Sequence, residues 1–254
     1  MSGPAAAIGP RLRAARRDPS LVVLEGFHAL KHALRFGAAI EAVYAEDGDR
    51  LAGLAADLAP DLRDRLDGLV TPAAPADLQA GDAAPPPTGV IAIARRPSAD
   101  PSPLLRASAT ARPVVLLEEP RHLGNVGAVV RVAAAAGAGG VLTTGPADPW
   151  HPAALRGAAG LHFALPVARL DAGTDIPPER LVALDPEGRQ LAPGLVPDGA
   201  VLAFGTERAG LSSGLLARAA HRIRIPMEPG VSSLNLATAV AVTLYAWRLA
   251  RSDA

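Results

Sequence analysis

The chain has 254 residues, 49% of them hydrophobic, with 25 Gly, 25 Pro and no Cys, and its 25 basic side chains balance 25 acidic ones. These values exclude disorder along the whole length, and the missing Cys excludes disulfide scaffolds, thiolate zinc sites and Cys nucleophiles. Zero net charge argues against indiscriminate coating of nucleic acid but leaves local basic patches open.

In chain order, residues 1–20 carry Arg11, Arg13, Arg16 and Arg17 with no apolar run behind them, and read as a basic arm rather than a signal peptide. Residues 21–97 alternate strand and helix: strand Leu21–Leu24, helix Phe27–Phe36, strand Ala42–Ala45, helix Leu51–Leu58 and strand Val90–Ala94. That pattern predicts a small α/β domain. Residues 98–112 are rich in Ser, Pro and Arg and read as a linker. From Pro113 onward, strand-like runs recur at Val114–Leu117, Val141–Thr143, Leu181–Leu184, Val201–Phe204 and Ile223–Ile225. Continuous apolar strands separated by Ala-rich helices predict a second α/β domain, residues 113–254, built on a mostly parallel sheet covered on both faces. No uncharged apolar run reaches the roughly 20 residues of a membrane span, so the expectation is a soluble cytoplasmic protein.

Three segments of the second domain could carry chemistry. In EEPRHLGNVGAVVRVAAAAGAGG (Glu118–Gly140), a strand ends at Glu118 and a helix is expected to start near Asn125, whose side chain suits an N-cap. Val126, Val129, Val130 and Ala133 mark the buried face. Arg131 falls off that face, one turn beyond Gly127 and Ala128, where it is either a ligand-facing cation above a small-residue floor or a solvated helix arginine. The turn lacks the G-x-G-x-x-G spacing of dinucleotide sites, which weakens a nucleotide-cofactor reading. In LAFGTERAGLSSG (Leu202–Gly214), Glu207 sits in a loop between Gly205 and Gly210 that lets backbone approach a flat ligand. The spacing is not G-x-S-x-G, so Ser212 and Ser213 are not read as nucleophiles. In RIRIPMEPGVSSLN (Arg222–Asn235), a Pro- and Gly-bent loop leads to a helix that is apolar almost all round from Leu236 to Trp247. Such a helix needs cover on every side, which a partner subunit would complete. Ser232 and Ser233 either cap it or face a ligand. Glu25, His28 and His32 are read as one helix face; no third metal ligand accompanies the two His, so packing is favoured and no metal is expected. His151 and Arg156, in DPWHPAALRGAAG, form a substrate-side rim or an ordinary loop entering a helix.

In this order and spacing the three segments resemble the three motifs of the SpoU–TrmH family of RNA ribose methyltransferases, in the SPOUT superfamily. The N-terminal stretches LEGFHALKHAL and TGVIAIA are similar to the small RNA-binding domain that precedes many of these enzymes. The chain departs from the Asp-Pro-x-Asn turn of many relatives, carrying EPRHLGN instead. The resemblance implies a C-terminal trefoil knot, a homodimer packed through the last helix, and S-adenosylmethionine bound by Gly205, Thr206, Ile225, Met227, Ser233 and Leu234. It implies methylation of a ribose 2′-hydroxyl, with Arg131 acting on the hydroxyl directly or with the adjacent phosphate, and Asn125, Glu207, Ser233 and Asn235 orienting Arg131 and the ribose. The implied substrate is structured RNA, with rRNA preferred over tRNA. The rivals are a non-catalytic RNA-binding or assembly protein on the same fold, and a nucleotide-dependent enzyme on a doubly wound sheet.

Overall fold

The computed structural model describes residues 8–79, 86–98, 100–106, 112–171, 173–205 and 210–252. Two compact units divide the chain: residues 1–98 with 159–164, and residues 99–158 with 165–254.

The first unit contains α1 (Ile8–Arg17), β1 (Leu21–Glu25), α2 (Phe27–Arg35), β2 (Ile40–Ala45), α3 (Gly48–Leu58), α4 (Arg63–Leu66), β3 (Val70–Pro72) and β4 (Val90–Arg95). Its sheet has the order β1-β4-β2-β3 and is mixed: β4 runs antiparallel to both β1 and β2, and β3 runs parallel to β2. Within the segment read as a basic arm, residues 8–17 form a packed helix. Ile8, Leu12 and Ala15, at helical spacing, are buried with Val23, Tyr44, Ile91 and Ile93, and Arg16 pairs with Glu25. Burying that stripe offsets the entropy of ordering a terminus, which a fully solvated arm has no means to do. Arg11, Arg13 and Arg17 stay exposed on its outer side. On α2, Phe27, Leu30 and Leu34 are fully enclosed. Gly160 lies so close to this helix that a Cβ on it would fall 2.6 Å from the carbonyl oxygen of Ala29. Glu25 ends β1 rather than joining the helix with His28 and His32, so the expected three-residue face does not form. The His32 Nδ1–H donates to the Ala159 carbonyl at 2.7 Å, and burial is the main cause of its lowered pKa.

The second unit contains α5 (Ser102–Leu105), β5 (Val114–Leu117), α6 (Leu123–Ala136), β6 (Gly140–Thr143), α7 (Pro152–Gly157), β7 (Val167–Arg169), β8 (Leu181–Gln190), β9 (Val201–Phe204), α8 (Ser213–Arg218), β10 (His221–Arg224) and α9 (Leu236–Ser252). Its six strands are all parallel, in the order β10-β8-β9-β5-β6-β7. Every residue of β5 and β9 is buried, as expected of strands in the middle of a sheet covered on both faces. Each large apolar side chain enclosed there contributes about 1.5–3 kcal/mol. Short β7 and the extension of β8 past Leu184 depart from the sequence reading. The β8–β10 pairing passes from Ala183↔Arg222 to Arg189↔Ile223, so residues 184–188 bulge out of the ladder. Two elements cover the sheet through α6: α7, and α9, whose Val240, Leu244 and Trp247 are buried. Trp247 Nε1–H donates to Asp198 Oδ1 at 2.7 Å, while Arg251 pairs with the other carboxylate oxygen and lies over the Trp247 ring. Among the described residues no helix is long and apolar enough to cross a membrane.

Candidate active site

Parallel strands direct their carboxyl ends to one edge of a sheet, and the loops that follow meet there. In the second unit the bulge within β8 and the segments after β9 and β10 border one cleft. The bulge within β8 supplies Leu184, Asp185 and Pro186, the end of β9 supplies Phe204 and Gly205, and the segment from β10 to α9 supplies Arg224, Ile225, Met227, Ser232, Ser233 and Leu234. Five of the six residues expected to hold a cofactor therefore line one space: Gly205, Ile225, Met227, Ser233 and Leu234. The sixth, Thr206, and the expected orienting residue Glu207 lie outside the described residues.

Local geometry explains these placements. Gly205 is required by close approach, since a Cβ on it would fall 2.0 Å from the carbonyl carbon of Gly210. The backbones of Gly205 and Gly210 thus meet as no side chain at 205 would permit. Met227 and Leu234 remain substantially exposed at the cleft, which is costly for large apolar side chains unless a ligand covers them. Asn235 caps α9, its Oδ1 accepting from the backbone N–H groups of Ala237 at 2.9 Å and Thr238 at 3.4 Å. That leaves Ser232 and Ser233 on the cleft wall rather than in the capping role open to them from sequence.

Asn125 and Asn235 meet, with Asn235 Nδ2 donating to Asn125 Oδ1 at 3.4 Å. The first and third motifs are thereby joined across 110 residues of chain. Asn125 is not the N-cap of α6, however. The helix starts at Leu123 with His122 in that position, and Asn125 sits in the first turn, where its side chain accepts from Asn235. Gly127 needs a second correction. It is buried, and a Cβ there would fall 2.2 Å from the Ala154 carbonyl oxygen, so it permits α6 and α7 to pack backbone to backbone. Arg131 is exposed on α6 and does not line the cleft. His151 caps α7 through Nδ1, which accepts from the Ala153 N–H at 3.1 Å, and Arg156 is exposed.

Sequence reading missed three contributors. Asp185 lines the cleft with its side chain only 10% exposed and pairs with Arg222 at 3.3 Å. The Asp-Pro pair interrupting the β8 pattern was its available signal. Arg224 reaches the same wall from β10. Glu118, just past β5, accepts from Ser212 through both carboxylate oxygens. Beside it, Glu119 adopts a left-handed conformation with φ 44° and its N–H donates to Thr144 Oγ1 at 3.0 Å. Backbone strain of this kind gathers around binding loops.

Comparison with known proteins agrees with this architecture. A tRNA/rRNA methyltransferase of uncharacterized function from Synechocystis is 36% identical over 148 residues, covering 53% of this chain and 52% of that one. The 23S rRNA (guanosine(2553)-2′-O)-methyltransferase RlmP of Bacillus subtilis is 33% identical over 149 residues, covering 54% and 58%. The chain thus spans between half and three fifths of the length of these relatives. The crystal structure of the SpoU methyltransferase AviRb from Streptomyces viridochromogenes, in complex with the cofactor AdoMet, superposes with a TM-score of 0.78 at 22% identity, covering 99% of this chain and 100% of that one. The model of the SpoU rRNA Methylase family matches residues 112–245, more than half of the chain and all three motifs. The chain belongs to the SpoU rRNA methylase family.

Proposed function

We propose that this protein transfers a methyl group from S-adenosylmethionine to a ribose 2′-hydroxyl of structured RNA, ribosomal RNA before transfer RNA. The observation that carries the reading is the single cleft bordered by Gly205, Ile225, Met227, Ser233 and Leu234, beside the Asn125–Asn235 contact. The cleft fits such a cofactor in kind: apolar side chains for a flat base, and a glycine neck where backbone rather than side chain meets the ligand. The bound cofactor would supply a methyl group already activated on a positive sulfur. Gly205, Thr206, Ile225, Met227, Ser233 and Leu234 would hold it.

The chain's own residues then face one difficulty, the weak nucleophilicity of a hydroxyl. Arginine stays charged at accessible pH, so Arg131 serves the hydroxyl best by drawing an RNA phosphate beside it, letting that phosphate share the proton. Its exposure on α6 supports a contact made with RNA rather than within the protein. Asn125, tied to Asn235, would orient the ribose with Glu207 and Ser233. A 2′-hydroxyl acceptor selects RNA over DNA. Exposed Arg11, Arg13 and Arg17 on α1 support phosphate contacts by the N-terminal unit, read as the RNA-binding domain. On α9, Val242, Tyr245 and Leu249 form an exposed apolar stripe that supports a homodimer through the last helix. The trefoil threading of the C-terminal segment and a cytoplasmic location, where ribosomal RNA is processed, belong to the same proposal.

The test is tritiated methyl transfer to rRNA and tRNA, followed by mapping of ribose methylation. Arg131→Ala should lower turnover by about 10²–10⁴-fold while S-adenosylmethionine affinity stays within twofold. Wild-type protein that binds RNA but transfers no methyl group to either RNA would favour the non-catalytic reading.

A further inference from the structure

Local contacts fix the bulge in β8. Asp185 Oδ1 accepts from the Glu187 N–H at 3.1 Å, an Asx turn around Pro186. Asp185 Oδ2 pairs with Arg222 Nη1 at 3.3 Å, and Arg222 Nη2 in turn donates to the Leu216 carbonyl at 3.1 Å. Gly188 lets the bulge close, since a Cβ there would fall 2.5 Å from the Ile223 nitrogen. The Asp185 carboxylate is thus held at the cleft with only 10% of its side chain exposed. Its two contacts are longer than the roughly 2.7–2.9 Å usual between charged partners, and a carboxylate offers about four lone-pair directions. This nearly buried anion therefore keeps acceptor capacity for a donor in the cleft. Arg224, the last residue of β10, borders the same cleft. Residues two apart on a strand share a face, so Arg222 and Arg224 lie on one side of β10, about 6.6 Å apart along it. Among the described residues, Asp185 and Arg224 are the only charged ones bordering the cleft. The zwitterion of an α-amino acid carries the complementary charges on neighbouring atoms. One hydrogen bond of about 2.8 Å at each end lets it bridge such a pair.

We infer, on the reading of this cleft as the S-adenosylmethionine site, that Asp185 and Arg224 hold the amino-acid end of the cofactor. The Asp185 carboxylate accepts from the ligand ammonium, and the Arg224 guanidinium donates to the ligand carboxylate. The apolar walls are then left for the adenine. Both residues are determinants of specificity: adenosine thioethers that carry the amino-acid end are selected over those that lack it. Arg222 acts on the ligand only through Asp185 and is a positioning residue. Because the bulge sets the carboxylate in place without the ligand, little of the binding energy is lost in ordering it.

The test is calorimetry on the full-length protein with four probes. S-adenosylmethionine and its neutral-sulfur product S-adenosylhomocysteine carry the whole amino-acid end. Decarboxylated S-adenosylmethionine keeps the amine alone, and 5′-methylthioadenosine has neither group. Wild type should bind S-adenosylhomocysteine at least tenfold more tightly than 5′-methylthioadenosine. Asp185→Asn keeps the side-chain size and an acceptor for the Glu187 N–H. It should weaken the three amine-bearing probes about tenfold each, the loss of one charge-assisted bond, and leave 5′-methylthioadenosine within twofold. Arg224→Gln should weaken S-adenosylmethionine and S-adenosylhomocysteine about tenfold and leave the other two probes within twofold. Arg224 is exposed, so its variant tests the assignment even if Asp185→Asn fails to fold, and 5′-methylthioadenosine binding reports an intact cleft in each variant. Losses shared equally by 5′-methylthioadenosine would assign both residues to the adenosine part or to the shape of the wall, and would overturn the inference. A loss in Asp185→Asn that spares S-adenosylhomocysteine would assign the carboxylate to the sulfonium, and would overturn it too. Equal wild-type affinity for S-adenosylhomocysteine and 5′-methylthioadenosine overturns the inference alone. Wild type that binds none of the four probes overturns the functional reading together with it.

Discussion

Among the described residues there are two sheets, and the second borders the cleft. In the N-terminal unit, β4 runs antiparallel to both neighbours, so its carboxyl end leaves on the edge opposite to those of β1 and β2. In the C-terminal unit all six strands run the same way, and the bulge of β8 and the segments following β9 and β10 open at one edge. Strand direction, more than composition, therefore decides where distant residues can be gathered. The mixed sheet supplies instead a packed core and the exposed arginines of α1.

This contrast can be attacked from the core outward. The largest stability effect is expected of Leu30→Ala, which empties a fully buried position on α2 and should cost about 2–5 kcal/mol. Denaturant unfolding should register that loss while cofactor affinity stays within twofold; a parallel fall in affinity would break the separation of roles. Gly205→Ala should cost less stability, about 1–3 kcal/mol, because backbone must shift to admit the new Cβ. Its cofactor affinity should nonetheless fall more than tenfold by calorimetry, and retained affinity would remove the loop neck from the site.

The smallest effects are expected from pH, with one titrating probe in each unit. Burial holds the His32 imidazole below its ordinary value, so the unfolded chain takes up the proton first as pH falls. Stability should decline below about pH 6.5, and His32→Asn should flatten that limb. In the other unit the Trp247 N–H, followed by Arg251, holds the Asp198 carboxyl below the usual carboxylate range. The stability it contributes is present above the unfolded value, near pH 4, and is lost as pH falls through the folded one. Asp198→Asn should remove this acid-limb dependence, with shifts in Tm of about a few degrees at most. The same slope in wild type and variant would discount either probe.

Much of the fold was legible because apolar runs report burial directly. Val114–Leu117 and Val201–Phe204 were read with the boundaries they have in the structure. Helix α1 was missed because its arginines mask the Ile8, Leu12, Ala15 stripe, although that spacing was available. Strand β3 and strand β7 have three residues each, too few to show a period. The extension of β8 was hidden because Pro186 and Gly188 interrupt its pattern, and this interruption is what forms the cleft wall. Asn125 was misread as a cap because a residue's local preference does not reveal a partner 110 positions away.

By itself the sequence determined the two α/β regions, the central parallel strands and the three motif segments, because hydrophobic period, glycine and cap chemistry act over a few neighbouring residues. Only the tertiary structure decided that Gly127 serves helix packing, that Asn125 meets Asn235, and that Glu118 clamps Ser212. Those pairings depend on strand order and the angle at which helices cross. Such quantities arise from the summed packing of the whole unit, and no short window of residues contains them.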